Sequence, residues 1–251
     1  MQEYHSPTLS IAKRNRVLST CLLVLAILAG LFISSQQAAQ PNEAPPTTSG
    51  PQVQSVDTQK VSQYQTALDG LNALAVKGRA PKTGYSRLQF GDGWEKSGSC
   101  DTRNRILARD LTSVSYEIGT CVVTGGVLND PYTVKIIHFV RGADTSSMIQ
   151  IDHVVALSDA WQKGAQLLSP GLRVQLANDP QELLAVDGPA NQQKGDGDAA
   201  TWLPANKAFR CSYVARQVSI KLKYSLWVTS AEKEAMKTVL KTCPSQKLLT
   251  S

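Results

Sequence analysis

Residues 17–33, from Val17 to Ile33, carry no charge, and Lys13, Arg14 and Arg16 stand just before them. No other stretch constrains the chain so strongly. A basic flank stays on the cytoplasmic side and sends the chain beyond the apolar run across the membrane. The run is slightly shorter than the roughly 20 residues a bilayer span prefers, yet within the tolerated range. It reads as a signal peptide or a short transmembrane anchor. Ser34, Ser35, Ala38 and Ala39 make a poor cleavage site, which favours an uncleaved anchor. Residues 1–16 are then a basic cytoplasmic N-terminus, and everything past residue 33 is expected to be extracytoplasmic, membrane-anchored or secreted. Cys21 lies inside the apolar run rather than after it, so it does not read as a lipoprotein cysteine.

Export decides how the other four cysteines read. Cys100, Cys121, Cys211 and Cys243 are an even set in an oxidising compartment, so two disulfides are the default. Sequence proximity favours Cys100–Cys121 and Cys211–Cys243. A cysteine-rich zinc site uses closer spacings, about two to four residues, which no pair here has. The formal net charge of +6 fits an anionic partner, nucleic acid or a membrane surface, without selecting one.

Residues 34–60 are rich in Gln, Pro, Ser and Thr and poor in large apolar residues, and they read as a disordered stalk. The folded domain is expected over residues 61–251. Val61, Tyr64, Leu68, Leu71 and Leu74 recur at helical spacing, which predicts a helix over 61–77, ended by Gly78 and Pro81. A short helix is expected over 100–110. Strands are expected over 113–123 and 132–140, with a break at Gly125-Gly126 between them, and a third over 148–155. Short helical and strand segments are expected at 158–165 and 182–186. A helix begins at Gly188-Pro189, another covers most of 202–224, and Thr229-x-x-Glu232 is a capping box opening the last one. The strand, loop, strand, helix order over 148–196 is the one a ββα metal hairpin requires.

The chain has three histidines, and His5 precedes the apolar run. A catalytic histidine is therefore His138 or His153. Alternation places His138 on the face of Ile136, where a half-buried, satisfied histidine is expected. Asp152-His153 instead interrupts an apolar run, Met148 to Leu157, where ionisable groups need a partner or a metal. Asn191 and Lys194 lie some forty residues later on one helical turn. A carboxylate and an amide carbonyl suit a hard divalent cation, and a neutral imidazole beside them can take a proton from water. No His-Glu-x-x-His set supports a metallopeptidase.

The stretches Ile151 to Leu157, Ala177 to Asp187 and Asn191 to Asp196 resemble the HNH endonuclease superfamily. More narrowly, the chain is similar to exported actinobacterial proteins whose HNH domain is GmrSD C-terminal-like (DUF1524). Lys77 to Tyr85, Cys100 to Asn104 and Ala200 to Pro204 carry the same resemblance, which spans roughly residues 65–245. The resemblance implies an α+β fold. Its ββα-metal (His-Me finger) core has surrounding helices and a small antiparallel sheet. It makes His153 the general base, and Asp152 and Asn191 the ligands of one divalent metal ion, Mg2+ first, with Mn2+ or Zn2+ as alternatives. It makes Lys194 a phosphate contact. Glu182 falls where the family has an Asn that pins the hairpin loop. Glutamate accepts hydrogen bonds there but donates no amide.

Arg141 and the Asp101-Arg103-Asn104 group are candidate groove-lining contacts, with salt-bridge or turn roles as the plainer expectation. Arg210–Lys223 reads either as a phosphate-tracking stretch or as a solvated helix face. Trp161 and Trp202 read as core. The function expected is metal-dependent hydrolysis of DNA, with RNA as a second substrate, by a monomer. The alternative is an envelope module that binds DNA or another anionic polymer without cutting it.

Overall fold

The computed structural model describes residues 59–143 and 145–249. The expected cytoplasmic segment 1–16, the apolar run 17–33 and the stalk up to residue 58 lie outside the described residues. Gln59 and Lys60, read as stalk, already belong to a helix. Among the described residues no helix is long and apolar enough to cross a membrane.

The chain is mixed α+β. Helix α1 is Gln59–Ser62 and α2 is Ala67–Ala73. Strands β1 Lys96–Ser97 and β2 Cys100–Asp101 precede α3, Thr102–Asp110. Strands β3 Thr112–Tyr116, β4 Val123–Asn129, β5 Ile136–Val140 and β6 Ile149–His153 come next. Then come α4 Leu157–Gln162, α5 Pro170–Asn178, β7 Leu183–Asp187, α6 Gly188–Lys194, α7 Arg210–Lys223 and α8 Ser230–Leu240. The three sheets among the described residues are small and antiparallel: β1-β2, β3-β4-β5 and β6-β7.

The helix expected over 61–77 is two short helices. Thr66 opens the second with a capping box: its hydroxyl accepts from the Asp69 amide at 3.2 Å, and the Asp69 carboxylate accepts from the Thr66 amide at 3.1 Å. A side chain that satisfies backbone donors in this way favours a helix start over continuation. The Thr229 capping box of α8 forms as expected. Ser169-Pro170 starts α5, a helix absent from the sequence-based expectation although a cap followed by proline signals one. Residues 202–206 lie outside the helix expected across them; a 3-10 turn at Lys207–Phe209 leads into α7.

Gly125 and Gly126 do not separate two strands but lie within β4. A Cβ on Gly126 would meet Leu111 at 2.8 Å, and one on Gly125 would meet the Ser115 hydroxyl at 2.7 Å, so the glycines let β3 and α3 close over the strand. On β5, His138 shares a face with Ile136 as expected, but that face is exposed, because the sheet buries Ile137 and Phe139. Trp161 is core, and Trp202 packs half-buried against Tyr132 and Tyr213.

Helix α7 is the central strut. Tyr213, Val214, Val218 and Leu222 face a core shared with α2, α6 and α8, while Ile220 joins a second core built on α4 and α5. A helix apolar on most of its surface belongs in the interior. The basic stretch Arg210–Lys223 is therefore neither a phosphate track nor a solvated face. Lys221 has a fully buried side chain. It belongs to an ionic hub with Lys163, Asp159, Asp198, Glu232 and Arg79. Lys163 Nζ lies 2.7 Å from Asp159, Asp198 and Glu232. Arg79 bridges Asp159 and Asp198 at 2.8 and 2.7 Å. Lys221 reaches Glu232 at 3.0 Å. Both disulfides have the expected pairing, Cys100–Cys121 and Cys211–Cys243.

Candidate active site

Asp152 and His153 end β6, opposite Leu184 and Leu183 of β7. β7 runs straight into α6. The Asp187 carboxylate closes the strand and caps the helix, accepting from the Ala190 amide at 3.1 Å. A Cβ at Gly188 would lie 2.2 Å from the Ser147 carbonyl, so only glycine lets α6 start against the approach to β6. One turn later Asn191 faces the same cavity as Asp152 and His153.

His153 is almost fully buried. Its Nε2 donates to the Ala177 carbonyl at 2.9 Å. A carbonyl can only accept, so the proton is on Nε2 and Nδ1 is the basic nitrogen. The Trp94 ring stacks on the imidazole, 5.6 Å between centroids and 10° from parallel. Burial pushes the His153 pKa down to about 3, with Arg87 and Lys194 adding to the effect and the Ala177 bond opposing it. The ring is neutral at physiological pH.

Asp152 is held from both sides. Lys194 Nζ donates to Oδ1 at 2.8 Å and the Tyr132 hydroxyl donates to Oδ2 at 2.5 Å. Lys194 also donates to the His153 carbonyl at 2.7 Å, and its side chain is fully buried. The phosphate contact expected of Lys194 is thus not available in this arrangement, because its ammonium neutralises a buried carboxylate. Asn191 Nδ2 donates to Gln150 at 2.9 Å, which leaves its Oδ1 as the free oxygen.

Glu182 is fully buried, and both its carboxyl oxygens accept from the Val155 amide, at 3.0 and 3.2 Å. Its own carbonyl accepts from the Val154 amide at 2.9 Å. Glu182 therefore fastens the two residues after His153 with acceptors alone. Burial raises its pKa well above the ordinary value, against Lys194 and the Val155 bond, with Asp152 and Asp179 raising it further.

Arg103, Asn104 and Arg141 bond inward. Arg103 donates to the Ser146 and Ile149 carbonyls, at 3.3 and 3.2 Å. Asn104 Oδ1 accepts from the Val123 amide at 2.9 Å and from Arg141 at 2.7 Å. Arg141 also donates to the Val123 carbonyl at 2.6 Å. The three tie α3 to β4 and the approach to β6 rather than line the site.

Two cavities flank His153. One, of about 210 Å3, is lined by Tyr85, Arg87, Asp152, His153, Asn191 and Asp196 among others. The other, of about 220 Å3, lies between the turn Arg87–Phe90 and Trp94. Arg87, His153 and Leu157 line both. Tyr85, Arg87, Trp94 and Asp196 are not among the sequence-derived candidates. Tertiary contacts carry the 85–95 segment to the site. Arg173 of α5 donates to the Gln89 carbonyl at 2.8 Å, and Asn178 accepts from the Glu95 amide at 2.9 Å. The Arg87-x-x-Phe90-Gly91 stretch, a charge beside an apolar residue and a turn glycine, is the one local signal.

Among the described residues no group of three His, Cys, Asp or Glu side chains stands ready to hold a metal unaided. The donors that line the first cavity are oxygens: Asp152, Asn191 Oδ1 and Asp196. A carboxylate offers about four lone-pair sites, of which Lys194 and Tyr132 take two on Asp152. A Mg2+-class ion asks for one or two carboxylates plus water and phosphate, so the residues present fit one.

Residues 101–239 match the family "GmrSD restriction endonucleases, C-terminal domain". The chain is 39% identical over 183 residues to an uncharacterized secreted protein of Arthroderma benhamiae (strain ATCC MYA-4681 / CBS 112371), covering 71% of this chain and 85% of that one. No solved structure matches. The chain belongs to the GmrSD C-terminal domain family, whose description points to nuclease chemistry.

Proposed function

We propose that the protein is a metal-dependent HNH-type endonuclease that hydrolyses phosphodiester bonds of DNA, and of RNA as a second substrate, outside the cytoplasmic membrane. One observation carries this reading. At the end of β6, Nε2 of His153 is bonded to a backbone carbonyl and Nδ1 is left as an acceptor, beside the oxygen donors Asp152 and Asn191. The antiparallel β6-β7 pair running into α6 supports a ββα-metal core. The relative's description as secreted and the two disulfides support the location.

His153 Nδ1 takes a proton from water as the oxygen attacks phosphorus in line, and the bond to the 3′ oxygen breaks. The Ala177 carbonyl holds the ring's tautomer, and the imidazolium that forms is stabilised through the same bond. Glu182 keeps the chain after His153 from shifting. Asp152 and Asn191 would hold the divalent ion, which when bound supplies positive charge to the phosphate and the leaving oxygen. Lys194 positions Asp152.

Purified protein is expected to degrade plasmid DNA with Mg2+ or Mn2+ and to lose this in EDTA. His153→Ala abolishes cleavage; a digest unchanged in that variant refutes the assignment. The non-catalytic reading draws on Glu182 standing where the family has an amide. It is favoured if DNA is retained, salt-sensitively, and no divalent metal yields cleavage.

A further inference from the structure

The charges at the site are largely matched in pairs. Asp152 is matched by Lys194, Asp196 by Lys82 at 2.9 Å, and His153 is neutral. Arg87 differs. Its side chain is exposed and makes no hydrogen bond or ion pair among the described residues, yet it lines both cavities beside His153. With Lys194 buried and Lys82 paired to Asp196, Arg87 is, among the described residues, the unpaired cation lining the cavities at the His153 base.

The second cavity has the walls of a nucleoside site. Leu88 is 75% exposed, an apolar side chain left uncovered by the described residues, and the half-buried Trp94 adds aromatic surface, while Phe90 beneath is core. Gly91 and Gly93, in the positive-φ region that favours glycine at 101° and 147°, contribute backbone to one wall of the cavity. Its 220 Å3 is far more than the roughly 15 Å3 that admits one water. Asp92 at the rim forms no ion pair with Arg87 and is an acceptor for the amino group of a base.

Building on the nuclease reading, we infer that this cavity is a nucleotide subsite. Arg87 binds the phosphate under attack, and the base beside it leaves its stack to lie against Leu88 and Trp94. Arginine suits the task because its planar fork matches two phosphate oxygens at once. A base in a duplex must unstack to enter, at a cost of about a few kcal/mol, so single-stranded nucleic acid is the preferred substrate and duplex DNA, plasmid included, is bound more weakly and cut more slowly.

The test uses the full chain and a fluorescently labelled 12-mer DNA in EDTA, read by anisotropy across a salt series. The wild type is expected to bind the single strand about tenfold or more tightly than the blunt duplex. Arg87→Ala weakens single-strand binding about tenfold and lowers the log–log salt slope by about one, while Arg87→Lys keeps the slope and recovers part of the affinity. Leu88→Ala, at an exposed position where folding is unaffected, weakens binding without changing the slope. Equal affinity for single strand and duplex, no measurable binding by the wild type, or an Arg87→Ala protein with unchanged affinity and slope overturns the inference. Cleavage by the wild type, lost in His153→Ala but with kcat/KM unaltered in Arg87→Ala, overturns it while leaving the nuclease reading intact. Arg87-dependent binding without cleavage in any metal does the reverse.

Discussion

Replacing Lys194 by methionine tests whether this lysine serves the interior or the substrate. Its side chain is 0% exposed and that of Asp152 5%. The 2.8 Å ion pair is thus almost fully shielded from water. Met fills a similar volume, so the loss is electrostatic. Among the described residues, Asp152 keeps the Tyr132 hydroxyl as its one remaining side-chain donor. Burial and Asp152 itself hold the Tyr132 pKa well above its ordinary value, so this donor stays protonated. Removing one partner of a buried pair costs about 3–5 kcal/mol. At about 2–4 °C per kcal/mol for a domain of this size, Tm falls by about 6–20 °C. The double variant Asp152→Asn, Lys194→Met removes the stranded charge and is expected to recover at least half of the loss. Metal-free thermal unfolding by circular dichroism measures both. A Tm within about 2 °C of wild type for the single variant, with only substrate affinity weakened, would refute the burial argument and return Lys194 to the phosphate role. A double variant no more stable than the single one would refute the charge argument alone.

Three further outcomes are expected. His153 has a native pKa of about 3 against an ordinary 6.5, so it favours folding above pH 6.5 and that contribution is lost as pH falls towards 3. NMR of the imidazole should show no titration between about pH 7 and 5 in metal-free protein, and a midpoint near 6.5 contradicts the geometry. Glu182→Gln keeps an acceptor for the Val155 amide and changes stability by about 1 kcal/mol or less at acid pH, where the carboxyl is protonated folded and unfolded alike. Because a raised carboxyl pKa removes stability as pH rises above the ordinary value of 4.5, the variant should gain on wild type from there upward, neutral pH included. Glu182→Ala strands the amide and opens a cavity, at about 3 kcal/mol by urea denaturation; equal stability of the two variants argues against the pinning role. Separations of 21 and 32 residues predict about 3–4 kcal/mol from each disulfide on the chain-entropy argument. A Cys211→Ser, Cys243→Ser protein that melts with wild type fails that expectation.

Local chemistry makes much of the fold legible. The Thr229 capping box, the Gly188-Pro189 helix start and the Asp152-His153 strand end are all readable. Each depends on residues within a few positions of one another. The cysteine pairing comes from proximity once export is assumed. Other features depend on what the chain meets after folding. Nothing near Gly125 tells whether two glycines break a strand or thin it for a neighbour; Ser115 and Leu111 decide that. Lys194 looks like a phosphate contact because its distance from Asn191 is visible in the sequence and its 2.8 Å approach to Asp152 is not. Arg87 and Trp94 reach the site from about sixty positions upstream through packing on α5, which no short pattern encodes. Helix α7 reads as basic in sequence, yet Lys221 and Lys223 are countered by Asp159, Asp179 and Glu232, drawn from three other segments, and Arg210 and Arg216 donate to the Pro204 and Gln181 carbonyls.

The ionic hub also bears on how the chain arrives at one structure. Its six groups come from positions 79, 159, 163, 198, 221 and 232, and they match three positive charges with three negative ones. An oil-like interior tolerates approximate arrangements, because one apolar contact substitutes for another. A charge without its partner in the same interior is penalised by several kcal/mol. Any collapsed form in which α7, α8 or the 198 turn is out of place therefore strands at least one ion. The Glu232 carboxylate, which also caps α8 through the Thr229 amide at 3.3 Å, links helix initiation to this check. The hub thus discriminates among compact forms: near-native packings that misplace one of these segments carry a charge penalty at the centre.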